Sequence, residues 1–194
     1  MEQIGTAGLP PAAAILEIGS GTGWLLRRLA TRFPEHRFFG VEPDPTYVEY
    51  ARRHGQPNET HLVGAAESVG REACPAFHMV LSNDVLHHVQ SLDATFDGVA
   101  AVTTPGCTWW AIEPNFLNPY TFLRQHFTYG ERNFLPHPAL RLAAHNGWQL
   151  RERRNIFLIP PFVHEPTPWM RMLEARFENN PVLGGGLCLR LVRR

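Results

Sequence analysis

The chain has 194 residues, and its 18 cations, all arginine, balance 18 acids to a formal net charge of zero. That length suits a single domain, the lack of any basic run beyond short clusters such as Arg151 to Arg154 argues against a nucleic-acid footprint, and no apolar stretch approaches the roughly 20 residues needed to cross a bilayer. The three cysteines, Cys74, Cys107 and Cys188, form no C-x-x-C pair, which disfavours a zinc site or disulfide framework, suits a cytoplasmic protein without membrane insertion, and leaves them as buried filler.

The first informative segment runs from Ile15 to Trp24. Ala13 to Ile18 is a nearly continuous apolar run, as in a parallel strand buried on both faces, and Trp24 to Ala30 reads as a helix ending near Phe33 and Pro34. Between them stand Gly19, Gly21 and Gly23. Three glycines in five residues permit positive φ and a close backbone approach, so a ligand is expected on this turn. A dinucleotide-binding turn needs a third glycine where Trp24 stands, which disfavours a nicotinamide cofactor.

Further along, Arg37 to Val41 reads as a second strand ending at Glu42. Asp44 before Pro45 is the better helix cap, for a helix through Tyr47 to Arg53, so Glu42 is left as the carboxylate that can accept ribose hydroxyl hydrogens. Thr60 to Val63, Phe77 to Leu81 and Cys107 to Ile112 make three more strands with helical segments between them, an alternation that implies a parallel sheet. Beyond Glu113 the chain turns to proline and aromatics, from Phe116 through Tyr120 and Tyr129 to Phe134, read as an insertion roofing a pocket. A helix near Pro138 to His145, a strand from Trp148 to Ile159, a loop from Pro160 to Pro168, a helix from Trp169 to Phe177 and a last strand from Leu187 to Val192 complete the reading.

The G-x-G-x-G turn preceded by Glu17 resembles motif I of the class I S-adenosylmethionine-dependent methyltransferases. Glu42 matches the acid of that family's motif II, and the turn Val102 to Cys107 resembles the one before its fifth strand. Leu81 to Val89 is similar to the segment after strand four in the small-molecule members. Val63 to Ser68 resembles the segment after strand three, with Ala65 where an aspartate commonly receives the adenine amino group.

The resemblance implies a Rossmann-like open α/β sheet of seven strands, mostly parallel, in the order 3-2-1-4-5-7-6 with strand 7 antiparallel and helices on both faces. It implies one domain over 1–194, with substrate-side insertions at about 114–146 and 160–180. It also implies S-adenosyl-L-methionine as cofactor, held by Glu17, Gly19, Ser20, Gly21, Gly23, Glu42, Pro43, Ala65, Ala66, Glu67, Ser82 and Asn83. Relatives often carry helices ahead of strand one, and about a dozen residues precede it here, so part of a lid is expected to be absent, truncated or supplied by a partner.

The acceptor is expected to be a largely apolar small molecule methylated on oxygen, carbon or nitrogen; the sequence does not select the atom or the oligomeric state. If a proton must leave the acceptor, His87 or His88 is the nearest candidate base. Tyr120, Arg124 and Tyr129 are candidates to orient a polar group of the acceptor, and Phe157, Phe162, Trp169 and Met170 to shape its pocket. His126, His137, His145 and His164 lack metal-ligand spacing, so no metal is expected. The alternative is a catalytically inactive S-adenosylmethionine-binding protein of the same fold, acting by regulation or interaction.

Overall fold

The computed structural model describes residues 8–71, 75–129, 132–157, 159, 165–177 and 179–194, excluding the side chains of 70, 71, 126, 128 and 129. Seven strands form one sheet: β1 (Ala14–Ile18), β2 (Arg37–Glu42), β3 (Glu59–Val63), β4 (Phe77–Asn83), β5 (Thr103–Pro114), β6 (Trp148–Ile156) and β7 (Gly186–Arg193). Their order is β3-β2-β1-β4-β5-β7-β6. The first five are parallel, and β7 runs antiparallel to both β5 and β6.

Every residue of β1 is buried, because its side chains alternate between two layers. Ala14, Leu16 and Ile18 join Val80, Phe96, Val99, Trp109, Ala139 and Trp148 in one core, while Ile15 joins Leu26, Ala30, Phe38, Met79 and Leu81 in the other. Helix α1 (Trp24–Arg32) covers the second, and α3 (Leu92–Ala101) with α5 (Pro136–His145) covers the first. Two covered faces are what a parallel central strand requires. The Trp148 indole N–H donates to Phe96 O at 3.1 Å, and its ring meets Trp109 edge-on at 5.2 Å, so even this large side chain is buried without an orphaned donor.

Helix α2 (Pro45–His54) starts as its sequence suggests, with Pro45 in the first turn and the Asp44 carboxylate accepting from Thr46 N at 2.7 Å. Other boundaries differ from expectation. The strand expected at Cys107 begins at Thr103: Phe77 pairs with Thr103 but Met79 with Thr108, so the anticipated turn, with Gly106 at φ 80°, bulges out within β5. The strand expected to reach Ile159 ends at Ile156, where Phe157 takes φ 60°.

The stretch after Glu113 contains α4 (Pro119–Leu123) running into a π-helical turn, Arg124–Tyr129. Side-chain bonds hold this insertion to the loop before β7, from Asn115 to Pro181 O and Gly184 O, and from Asn118 to Leu183 O. Helix α6 (Pro168–Arg176) follows the proline-rich segment, of which 160–164 lie outside the described residues, together with Phe162, His164 and Cys74. Cys107 is buried, which pushes its thiol up to about 12; Cys188 is half-buried. No described helix is long and apolar enough to cross a membrane.

Candidate active site

At β1 the connection reverses direction in the sheet, with β2 on one side and β4 on the other, and the crevice at such a point is where open α/β sheets bind ligands. The glycine turn stands there. Gly19, Gly21 and Gly23 all take positive φ, but they serve different ends. A Cβ on Gly19 would run into Val85, and one on Gly23 would lie 2.8 Å from His61 Cε1, so these two allow close packing beneath the turn. At Gly21 nothing lies within 4 Å of that position, so its open face is available to a ligand.

The turn is pinned from β2. Gly19 N and Ser20 N donate to Val41 O, and Gly21 N donates to Glu42 Oε2 at 2.9 Å, while Glu42 Oε1 accepts from Asp44 N at 3.1 Å. A cavity of about 450 Å³ opens over it, lined by Glu17, Gly19, Ser20, Gly21, Thr22 and Trp24 and, across the crevice, by Leu81, Ser82, Asn83, Trp110, Ile112 and Phe157. Ser82 Oγ accepts the Trp109 indole N–H at 3.0 Å, which leaves its own O–H as a donor.

Glu17 is 4% exposed, and its Oε2 has no hydrogen-bond partner among the described residues. Burial, with the nearby charges of Glu59 and Glu42 adding to it, pushes its carboxyl up to about 8. A neutral carboxyl at the floor of the cavity is the result. Beneath the turn lies a second buried group, in which His61 Nε2 and Glu59 Oε2 are 2.9 Å apart.

A larger cavity, about 730 Å³, adjoins the first and shares Asn83, Ile112 and Phe157 with it. Asp84, His87, His88 and Glu113 line one side, and Asn118, which caps α4, with Tyr120, Thr121, Arg124 and Gln125 from α4 and the π-helical turn, lines another. The two histidines differ sharply. His87 has a side chain 1% exposed, with Nδ1 2.7 Å from Glu113 Oε2, whereas His88 is exposed.

Of the twelve cofactor candidates, Glu17, Gly19, Ser20, Gly21, Ser82 and Asn83 come together around the smaller cavity. Gly23 lies under it, and Glu42 reaches it through the Gly21 N–H. Pro43, Ala65 and Ala66 do not line it, and Glu67 accepts from Gln90 N. The side chain of Tyr129 falls outside the description, as does that of His126. Glu113 passed in the sequence only as a boundary; the signal for it was an acid closing an apolar strand at the same edge as Glu42. Among the described residues no three His, Cys, Asp or Glu side chains gather as metal ligands.

The strand order is the one that the sequence resemblance implies, and the glycine turn and the acid at the end of β2 meet at its crevice. A family described as a methyltransferase domain matches residues 15–106. A malonyl-[acyl-carrier protein] O-methyltransferase of Halalkalibacterium halodurans is 28% identical over 169 residues, covering 84% of this chain and 55% of that protein. Among solved structures, an S-adenosylmethionine-dependent methyltransferase from Archaeoglobus fulgidus superposes with TM-score 0.71 at 11% identity, over 94% of this chain and 86% of that one. Another, from Mesorhizobium loti, gives TM-score 0.69 at 14% identity, over 95% and 94%. These two likenesses show the fold. The domain match, the curated relative and the shared fold support the class I S-adenosylmethionine-dependent methyltransferase family, enzymes whose cofactor is S-adenosylmethionine. The chain spans about half or less of the length of the curated relatives it matches.

Proposed function

We propose that the chain is a single methyltransferase domain, with substrate-side insertions at about 114–146 and 160–180, that methylates oxygen, carbon or nitrogen of a small-molecule acceptor held in the larger cavity. The observation that carries this is the meeting of the two cavities at Asn83, Ile112 and Phe157, one floored by the glycine turn and the other walled by His87 and His88.

The residues fit the cofactor: the open face of Gly21 allows close approach, and the unpartnered Glu17 oxygen is free to take a hydrogen-bond partner. Glu17, Gly19, Ser20, Gly21, Ser82 and Asn83 would hold the methionine end, with Glu42 at the ribose and the segment Ala65 to Glu67 beyond it. When bound, the cofactor supplies an electrophilic methyl group on a sulfonium sulfur. The protein's part in such a displacement is alignment of the acceptor at near contact. Ile112, Phe157 and Ile159 offer apolar surface for an acceptor's body, while Tyr120 and Arg124 stand where they can orient a polar group. Where the acceptor must lose a proton, the exposed His88 is better placed to touch it than the enclosed His87.

The curated relative makes a malonyl group on acyl-carrier protein the first acceptor to test, with oxygen as the atom. Incubation with labelled S-adenosylmethionine, first with that acceptor and then with a cell extract, tests the reading. Label transferred to an acceptor supports it. Cofactor bound without turnover across a broad acceptor panel would favour a binding-only role instead.

A further inference from the structure

Glu113 has a carboxylate with three bonds, and the chemistry above gives it no part. It is fully buried near the end of β5. The pairing of Asn83 with Ile112 brings it under the chain leaving β4, where Asp84 takes φ 56° and its N–H donates to Ile112 O at 2.8 Å. From there three successive residues bind one side chain. Val85 N and Leu86 N donate to Glu113 Oε1 at 3.2 and 2.8 Å, and His87 Nδ1 lies 2.7 Å from Oε2. The His87 ring in turn packs on the His88 ring, with centroids 4.0 Å apart and planes tilted by 40°. His88 is exposed and lines the larger cavity.

We propose that Glu113 is a positioning residue of the acceptor site, holding His87 with its proton on Nδ1 and, through that ring, setting His88 at the cavity wall. The inference rests on reading the larger cavity as the acceptor site. A carboxylate that already accepts two backbone N–H groups offers only acceptor oxygens to the imidazole, so Nδ1 donates, and in the neutral ring Nε2 is then the acceptor nitrogen. This is how outer carboxylates fix the tautomer of functional histidines.

The substitution Glu113→Gln separates this role from plain support. Its amide oxygen can keep the Val85 and Leu86 N–H bonds, but its NH2 then faces Nδ1, which must become the acceptor. Turning the amide round would set NH2 against two backbone N–H donors. The tautomer should therefore invert while shape and volume stay the same.

The test is 15N–1H correlation of the histidine rings in the intact chain, wild type and Glu113→Gln, with His87 assigned from its loss in His87→Asn. Calorimetry with S-adenosylhomocysteine runs alongside. The wild type should show His87 with Nδ1–H, and the variant should show Nε2–H with displaced His88 resonances. S-adenosylhomocysteine affinity should change by no more than about two-fold, because Glu113 does not line the smaller cavity. A wild-type His87 carrying Nε2–H, or protonated on both nitrogens at neutral pH, would overturn the proposal. So would a variant that keeps Nδ1–H. If the variant does not fold, the wild-type spectrum decides alone. Failure of both proteins to bind the nucleoside would count against the methyl-donor reading, whereas the tautomer speaks to Glu113.

Discussion

Glu17→Gln should make the protein more stable at alkaline pH, although it removes a residue from the cofactor crevice. In the folded chain burial raises this carboxyl from 4.5 to about 8, helped by Glu59 and Glu42. In the unfolded chain it returns to its ordinary range. Between those values the native state holds a proton that the unfolded state has lost. The contribution of Glu17 is therefore fully present below pH 4.5 and declines as pH rises through about 8. At roughly 1.4 kcal/mol per pH unit the penalty above pH 8 reaches about 3 to 5 kcal/mol. Glutamine has the shape of the protonated acid and never ionises. Urea denaturation of both proteins from about pH 5 to about pH 9 should give a stability difference near zero at the acid end that grows in favour of glutamine with pH. Groups distant from Glu17 are the same in both proteins and cancel in the difference. A difference that does not vary with pH, or a glutamine variant less stable at about pH 9, would refute the assignment of a neutral buried Glu17.

Gly21→Val should abolish measurable binding of S-adenosylhomocysteine, because it fills the open face of the turn at φ 51°; retained affinity by calorimetry would place the nucleoside elsewhere. Glu42→Gln keeps an oxygen for one backbone bond but loses the charge, and should weaken the nucleoside by about 1.5 to 3 kcal/mol, the range for hydrogen bonds to charged groups. Unchanged affinity would leave Glu42 a support of the turn alone. Gly40→Ala would set a Cβ 2.6 Å from Ser20 Oγ and 2.8 Å from His61 Nδ1, so an unfolding free energy lowered by about 1 to 3 kcal/mol is expected from urea denaturation, and a neutral effect would show that the layer beneath the turn yields freely.

Much of the fold was legible because local signals agreed with one another. The unbroken apolar run of β1 and the glycines after it specify a buried parallel strand with a ligand turn at its end, and Pro45 behind Asp44 separates a helix cap from the acid of β2. The smaller cavity followed from the same residues. What escaped depends on pairing between distant segments. The bulge in β5 exists only against Phe77 and Met79, and the π-helical turn has no periodic signature in six residues. Glu113 acquires its role when strand pairing brings it to Val85, Leu86 and His87. His87 and His88 are neighbours in sequence and diverge in structure, where His87 is buried against that carboxylate and His88 is exposed.

The central claim is that the glycine turn and Glu42 build a methyl-donor crevice rather than a dinucleotide one. Calorimetry of the intact chain with S-adenosylmethionine, S-adenosylhomocysteine and NAD tests it most directly. Both sulfur nucleosides should bind and NAD should not. A chain that melts cooperatively yet binds neither sulfur nucleoside would contradict the account.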